Sequence, residues 1–313
     1  MGFDYDAVQA EIAALREKQL FFIGGAPKSG TTWLQLLLDQ HPAISCSGEG
    51  HFTTALMPRL VGAADSYNQY IAWKSETVFS ELPSYPQLSE THIAYLIASA
   101  MALQLASHAS NPATRLIGEK TPDNVRFFPV LKNAFPGAKF IHIIRDGRDC
   151  AVSGWFHNLR TTPDWTRETF GSIDVYLTNF AQEWAADISA GTRFGAALPD
   201  SYLVIRYEDL VAEPTAVLGE VLTFLGALAE PDVIAACIGA GSFERLSGGR
   251  ARGEENRSSF FRKGVSGDWH RHFTAETARR FEEKAGIWLT RYGYGDVTGR
   301  PMVSEPMAMA KAG

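Results

Sequence analysis

Residues 25–33 read Gly-Ala-Pro-Lys28-Ser29-Gly30-Thr31-Thr32-Trp33, between the apolar run LFFIGG (20–25) and the helical run TWLQLLLDQ. Strand, glycine-bearing loop and helix is the layout of a phosphate-binding βα unit. Backbone N–H groups from Ser29 through Gly30 and Thr31 to Thr32 would converge at a helix N-terminus, where the helix dipole favours an anion. The threonine hydroxyls add donors and Lys28 adds a mobile cation. The order is not that of a nucleotide hydrolase, which needs Gly, then Lys, then Ser or Thr. Here Gly30 is followed by Thr31 and Thr32, and the only lysine stands two residues earlier. The plain alternative is a glycine-containing turn with no ligand.

Around this loop the chain alternates strand and helix signals. Residues 4–18 have helical spacing, and His41-Pro42 ends the helix after the loop. A Ser/Gly-rich loop is expected at 45–52, and 53–110 is mostly helical with breaks at Pro83 and Pro86. Residues 115–122 read as a short strand running into a loop, and 123–135 as a helix closed by Pro136-Gly137. AKFIHIIR (138–145) is the clearest buried strand, because its β-branched and Phe residues run nearly unbroken. A helix at 146–159, a helix around 172–195 and a strand at 201–210 ending in charged residues follow. Helices near 214–226 and 231–240, a Gly/Arg-rich loop at 246–267 and an amphipathic helix at 274–292 complete the pattern. The predicted fold class is α/β: a three-layer sandwich with a central parallel sheet and a P-loop-like strand-loop-helix. No repeat or composition shift marks a linker, so residues 1–300 are expected to form one domain and 301–313 a disordered tail.

Composition agrees with a globular chain. Of 313 residues, 45% are hydrophobic and 20% charged, which excludes collagen-like, disulfide-scaffold and wholly disordered classes. The net charge of −6 gives no global field for nucleic acid or acidic membranes, so any anion must be held by local basic clusters. Neither nucleic acid nor a membrane is an expected partner. Cys46, Cys150 and Cys237 match no metal or disulfide pattern. The longest apolar stretch, Ala94 to Ala106, is too short for a bilayer and reads as a buried helix. Asp4, Asp6 and Glu11 stand where a signal peptide would be basic, so the expected location is cytoplasmic.

PKSGTTW (27–33) is similar to the 5′-phosphosulfate loop of sulfotransferases that use 3′-phosphoadenosine-5′-phosphosulfate (PAPS). IIRDGRDCAVSGW (143–155) resembles their 3′-phosphate motif, with Arg145 at a strand end and Ser153 eight residues later. FRKGVSGDW (261–269) resembles their C-terminal RKG-x-x-GDW motif through Arg262, Lys263 and Gly264. Three motifs in the right order make a specific signal where a lone loop would not. The resemblance implies PAPS as cofactor, 3′-phosphoadenosine-5′-phosphate (PAP) as product, and no metal. An arginine at the C-terminal end of a buried strand also suits a bidentate phosphate contact. Arg148 and Asp149 are read as an exposed helix face, and Arg250 and Arg252 as members of a solvated loop. That loop is expected to fold over the 3′-phosphate. Trp33 and the Phe243 of a Ser242-Phe243 pair correspond to adenine-flanking positions, and Tyr207 of RYEDL to an adenine contact. From sequence alone each of these aromatics reads as core. Gly241 stands where many relatives have a hydroxyl residue.

Sulfuryl transfer needs an in-line acceptor oxygen, a neutralised leaving oxygen and a base for the acceptor proton. Lys28 suits the leaving oxygen. The histidine of the KTH motif of phenol and steroid sulfotransferases is missing, because the chain has Lys120-Thr121-Pro122. Instead GEGHF (48–52) and GEKTPDN (118–124) resemble the Glu-x-His-Phe and Glu-Lys-Thr-Pro motifs of heparan-type carbohydrate sulfotransferases and related bacterial enzymes. That resemblance implies Glu49 as general base, His51 orienting or contacting the acceptor, and Lys120 assisting at the sulfuryl group; His51 is the runner-up base. His142 reads as core, and His157, His270 and His272 as surface. The expected acceptor is a small molecule or glycan, taken at a hydroxyl or amine and walled by 52–110 and 156–175. Competing classes are a P-loop kinase or nucleotide hydrolase and a catalytically inactive nucleotide-binding module. Nothing in the sequence sets the oligomeric state.

Overall fold

The apolar runs at 20–25 and 138–145 become neighbouring inner strands of a five-stranded, all-parallel sheet in a computed structural model. It describes residues 4–295 apart from 81, 109, 110 and 112. The chain opens with α1 (Tyr5–Arg16), β1 (Gln19–Gly24), α2 (Thr31–Leu38), β2 (Ile44–Gly48), α3 (Met57–Lys74) and α4 (Glu90–Ala106). It continues through β3 (Leu116–Lys120), α5 (Asn124–Ala134), β4 (Lys139–Ile144), α6 (Gly147–Thr161), α7 (Pro163–Phe170) and α8 (Ile173–Ala197). The last part holds β5 (Tyr202–Arg206), α9 (Tyr207–Ala212), α10 (Pro214–Leu225), α11 (Pro231–Ala240), α12 (Phe243–Leu246) and α13 (Ala275–Arg291). The strand order is β2-β3-β1-β4-β5.

Successive strand residues face opposite sides, and both sides are covered. Phe21, Ile23, Ile141 and Ile143 pack with Leu34 and Leu37 of α2 and Leu222 of α10. Phe22 and Phe140 pack with Phe128 of α5 and Phe194 of α8. Those rings lie 4.9–5.8 Å apart in tilted, stacked or edge contacts, which adds about 0.5–1.5 kcal/mol per pair beyond their burial. The three-layer α/β sandwich read from the sequence is the observed architecture. Because every strand runs the same way, the loops after β1, β2, β3, β4 and β5 meet at one edge, where open parallel sheets hold ligands.

Four local readings are corrected. The first half of the expected 45–52 loop is the edge strand β2, pairing with β3; a ready partner strand overrides its Ser/Gly content. Residues 207–210 are not the end of a strand but open α9. Helix α7, with Pro163 in its first turn, was not anticipated. Only the C-terminal turns of α4 are buried, through Met101, Ala102, Leu105 and Ala106, while Tyr95 is 64% exposed. Further toward its start Ile97 packs against the same core half-buried, and the outward face is left to solvent. No helix among the described residues is long and apolar enough to cross a membrane. The tail expected from residue 301 lies outside the described residues.

Candidate active site

At the sheet edge lies a cleft of about 410 Å³. Its floor is the β1–α2 loop. Gly30 has φ +101°, and a Cβ there would come within 2.5 Å of the Tyr207 ring, so only glycine brings the chain this close. Among the described residues no side chain caps α2, which leaves its first N–H groups for a ligand. Gly30, Thr31 and Thr32 line the cleft with Lys28, whose backbone is also left-handed at φ +70°. Ser29 departs from the expectation. Its N–H donates to the Ala26 carbonyl at 3.1 Å and its side chain is wholly buried, with Oγ unpartnered among the described residues.

The opposite wall joins Arg145 to the 246–267 loop. Arg145 donates from Nη2 to the Val265 carbonyl (2.9 Å) and from Nη1 to the Lys28 carbonyl (3.3 Å), and its guanidinium lies 4.5 Å from the Tyr207 ring centre. Its Nε is buried without a partner among the described residues, as is that of Arg262. Arg262 and Lys263 both reach Asp268, at 2.6 and 2.5 Å. Burial opposes ionisation of Asp268, but Lys263 and Arg262 overcome it and hold the pKa down to about 2. Gly264, at φ +68°, packs where a Cβ would meet the Phe243 ring at 2.5 Å. Arg252 lies over Trp33 and Phe243, 4.9 and 5.5 Å from their ring centres, and donates to the Gly264 carbonyl.

Two readings of this wall are overturned. Arg148 and Asp149 are not an exposed face; each is 1% exposed. Asp149 accepts the N–H groups of Gly267 (2.7 Å) and Trp269 (3.0 Å), while Arg148 pairs with Asp146 and stacks on Trp269. The backbone of the 265–269 segment and the Trp269 ring cover the start of α6, so its polar face is paired by hydrogen bonds and an ion pair rather than by solvent. Arg250 is not a solvated loop residue either. Its guanidinium bonds the carbonyls of Ser247, Glu254, Phe261 and Arg262, which ties the loop together.

The predicted aromatics come together, with Trp33, Tyr207 and Phe243 all lining the cleft. Trp33 donates Nε1–H to the Gly241 carbonyl at 2.9 Å. Ser242 does not line the cleft; its hydroxyl caps α12 by accepting the Arg245 N–H. Ser153 does line it.

On the remaining side stands Glu49, whose Oε1 accepts from Lys120 Nζ at 2.5 Å and whose Oε2 lies 3.3 Å from His51 Nε2. Lys120 is buried beneath Glu49 and does not line the cleft. Lys28 Nζ sits 4.5 Å from the Phe260 ring centre and 3.5 Å from His157 Nδ1. Burial, then the charges of Arg160 and Arg145, push the Lys28 pKa down to about 8. His157, read from sequence as a surface residue, therefore belongs to the site. Burial, then Lys28 and Arg160, push its pKa down to about 4, so near neutral pH its ring is uncharged beside Lys28. His142 is core as expected, with Nδ1 2.7 Å from the Tyr202 hydroxyl.

The expected acceptor wall is only partly found. No described residue of 52–110 lines the cleft, and of 156–175 only His157 and Asn158 do. Pro122, Asp123, Tyr176 and Phe260 take their place. The sequence did hold a signal for His157, four residues after Ser153 and so on the same face of α6. Tyr176, on a different helix, had none. Cys46, Cys150 and Cys237 are free and buried.

A parallel sheet with a glycine-bearing loop running into an uncapped helix start, and a second basic cluster across an aromatic cleft, is the layout of a P-loop-like α/β protein. A model of the Sulfotransferase family matches residues 21–231, and the chain belongs to that family. It is 34% identical over 223 residues to protein-tyrosine sulfotransferase of Drosophila melanogaster, covering 67% of this chain and 38% of that protein. It is 25% identical over 226 residues to protein-tyrosine sulfotransferase 2 of Gallus gallus, covering 71% and 54%. The match thus spans about half or less of these relatives' length. Among solved structures, mouse sulfotransferase SULT7A1 complexed with PAP shares the fold with a TM-score of 0.56 at 20% identity, covering 93% of this chain and 96% of that one.

Proposed function

We propose that the chain, as one sulfotransferase domain over residues 1–300, moves the sulfuryl group of PAPS to an acceptor hydroxyl or amine. The observation that carries this is the pairing of an uncapped helix start with a second basic cluster across one aromatic cleft. One is the uncapped start of α2. The other is Arg145 and Arg262, each with a buried Nε that has no partner among the described residues. A nucleotide with phosphates on both its 5′ and 3′ positions fits such a pair, and AMP or ATP does not use both.

PAPS supplies an activated sulfuryl group when bound. Thr31, Thr32 and the α2 N–H groups hold its 5′ end; Arg145, Ser153, Arg262, Lys263 and Gly264 hold its 3′-phosphate; Trp33, Tyr207 and Phe243 hold its adenine. Lys28 neutralises the leaving oxygen, and the neutral His157 ring beside it steadies the ammonium. Glu49 takes the acceptor proton while Lys120 orients its carboxylate. The acceptor is a small molecule or glycan carrying a hydroxyl or amine. A second reading, a protein tyrosine, is favoured by the names of the relatives above.

Calorimetry tests the cofactor. PAP should bind at least about tenfold, or 1.4 kcal/mol, more tightly than AMP. Preference for ATP with Mg²⁺ over PAP would replace this reading with a kinase or hydrolase. Tight PAP binding without transfer from labelled PAPS to phenols, sugars, amines or tyrosine peptides would mark an inactive nucleotide-binding module.

Lys28 sets a pH dependence. Its lowered pKa means the cation is present below about 8 and lost above it, so kcat/KM, which reports the free enzyme, should fall as pH rises through about 8. A bound anion favours the charged form, so the same limb in kcat should lie higher. A kcat/KM that keeps rising to pH 10 would remove Lys28 from the charged machinery.

A further inference from the structure

Behind the loop that carries Glu49 lies a carboxylate the mechanism above does not use. β3 ends in Glu119-Lys120, and successive strand residues point to opposite faces. Both nevertheless reach the 49–51 loop, because that loop crosses the end of β3 just after Gly48, the register partner of Lys120. Lys120 meets the Glu49 side chain. Glu119, 3% exposed, meets the backbone that follows it.

Three donors converge on Glu119. Oε1 accepts the Gly50 N–H at 2.8 Å and the Thr121 hydroxyl at 2.6 Å, and Oε2 accepts from Asn124 Nδ2 at 2.7 Å. Asn124 Nδ2 also donates to the Ile23 carbonyl at 3.2 Å. A carbonyl only accepts, so the amide orientation is fixed and Asn124 stands as a donor to Glu119. Because Thr121 gives its proton to Glu119, its oxygen is free to accept the His51 N–H at 3.3 Å. The two peptide groups directly after Glu49 are therefore held, one by Glu119 and one through Thr121. His51 has φ +47°, a left-handed conformation that non-glycine residues keep only where their surroundings impose it.

We infer that Glu119 is a positioning residue, whose carboxylate fixes the Gly50-His51 backbone and so aims Glu49 at the acceptor. This rests on Glu49 being the general base of the proposed transfer. Lys120 restrains the Glu49 carboxylate from one side and Glu119 its main chain from the other.

The test is a double-mutant cycle on the full chain, with kcat, the KM for PAPS and calorimetric PAP affinity as readouts. Glu119→Ala should lower kcat about 10- to 100-fold, the size expected when a reacting group is misplaced by about 1 Å. PAP affinity and the KM for PAPS should stay near wild type, since Glu119 does not line the cleft. Glu119→Gln keeps an oxygen for Gly50 and should recover part of the rate. In a Glu49→Gln background the Glu119→Ala change should cost nothing further, because groups acting as a unit are not additive. Equal losses in both backgrounds would reduce Glu119 to a structural residue and overturn the inference, as would wild-type kcat for Glu119→Ala. If Glu119→Ala fails to fold, Glu119→Asp, which withdraws the carboxylate from Gly50, decides. A loss of kcat with unchanged PAP affinity that disappears in the Glu49→Gln background supports the inference, and an unchanged kcat overturns it. Should Glu49→Gln itself keep its rate, the base assignment fails, a result separate from either outcome for Glu119.

Discussion

Glu49→Gln is expected to lower kcat by about 10²–10⁴-fold, the usual contribution of a positioned base, while PAP affinity stays near wild type. Glutamine keeps the size of the side chain and an oxygen for Lys120, but it cannot take a proton from the acceptor. The affinity should hold because the groups assigned to PAP, namely Arg145, Arg262 and the α2 N–H groups, make no hydrogen bond or ion pair with Glu49 among the described residues. Lys120 is nearly buried and loses a charged partner at 2.5 Å, so a modest fall in melting temperature should accompany the loss of rate. Stopped-time transfer from labelled PAPS, with calorimetry on the same preparations, reads both quantities. His51 gives the competing outcome, since its Nε2 lies 3.3 Å from Glu49. If Glu49→Gln keeps more than about a tenth of the rate and His51→Ala abolishes it, the base is His51 and Glu49 its orienting partner.

Local chemistry was legible in the sequence, and contacts between distant segments were not. The β1–α2 loop is a local object, so its glycine, its threonines and the strand before it could be read in one short window. Arg145 was legible because a charged residue ending an apolar strand must emerge at the sheet edge. Asp149, four residues on, is buried where helix periodicity predicts exposure, for a physical reason. What buries it is the backbone at Gly267 and Trp269, more than a hundred residues away, and helix periodicity carries no information about such a partner. Arg250 likewise differs from its sequence reading, since glycine and serine neighbours suggest solvent while its guanidinium ties carbonyls of its own loop. The aromatic content of 52–110 points to an acceptor wall, yet Tyr67, Tyr70 and Trp73 are about half exposed to solvent. Aromatic content marks apolar surface but not which surface. Glu119 shows the limit most plainly. The sequence places it beside Lys120, and only the crossing of the 49–51 loop over β3 gives its carboxylate three donors.

Arg145→Ala should weaken PAP by about 1.5–3 kcal/mol, the range for hydrogen bonds to a charged group, which is about 12- to 150-fold in Kd. AMP, which lacks the 3′-phosphate, should lose less than about threefold, half a kcal/mol or so. The ratio of the two affinities is the decisive quantity, because Arg145 also supports the site. It ion-pairs with buried Asp149 at 3.7 Å and bonds the carbonyls of Val265 and Lys28. Burial already pushes the Asp149 pKa up, and Arg145 is the first of the groups opposing it, so its removal should raise that pKa further and loosen the 265–269 backbone. A general loosening would weaken PAP and AMP alike; loss of a phosphate contact weakens PAP alone. Arg145→Lys separates the two effects, since it keeps a charge for Asp149 but loses the planar fork and the unpartnered Nε. It should restore the fold while recovering only part of the preference for PAP. Equal weakening of PAP and AMP in both variants would assign Arg145 to the scaffold, and the 3′-phosphate would then have to rest on Arg262 and Lys263, which Asp268 already engages.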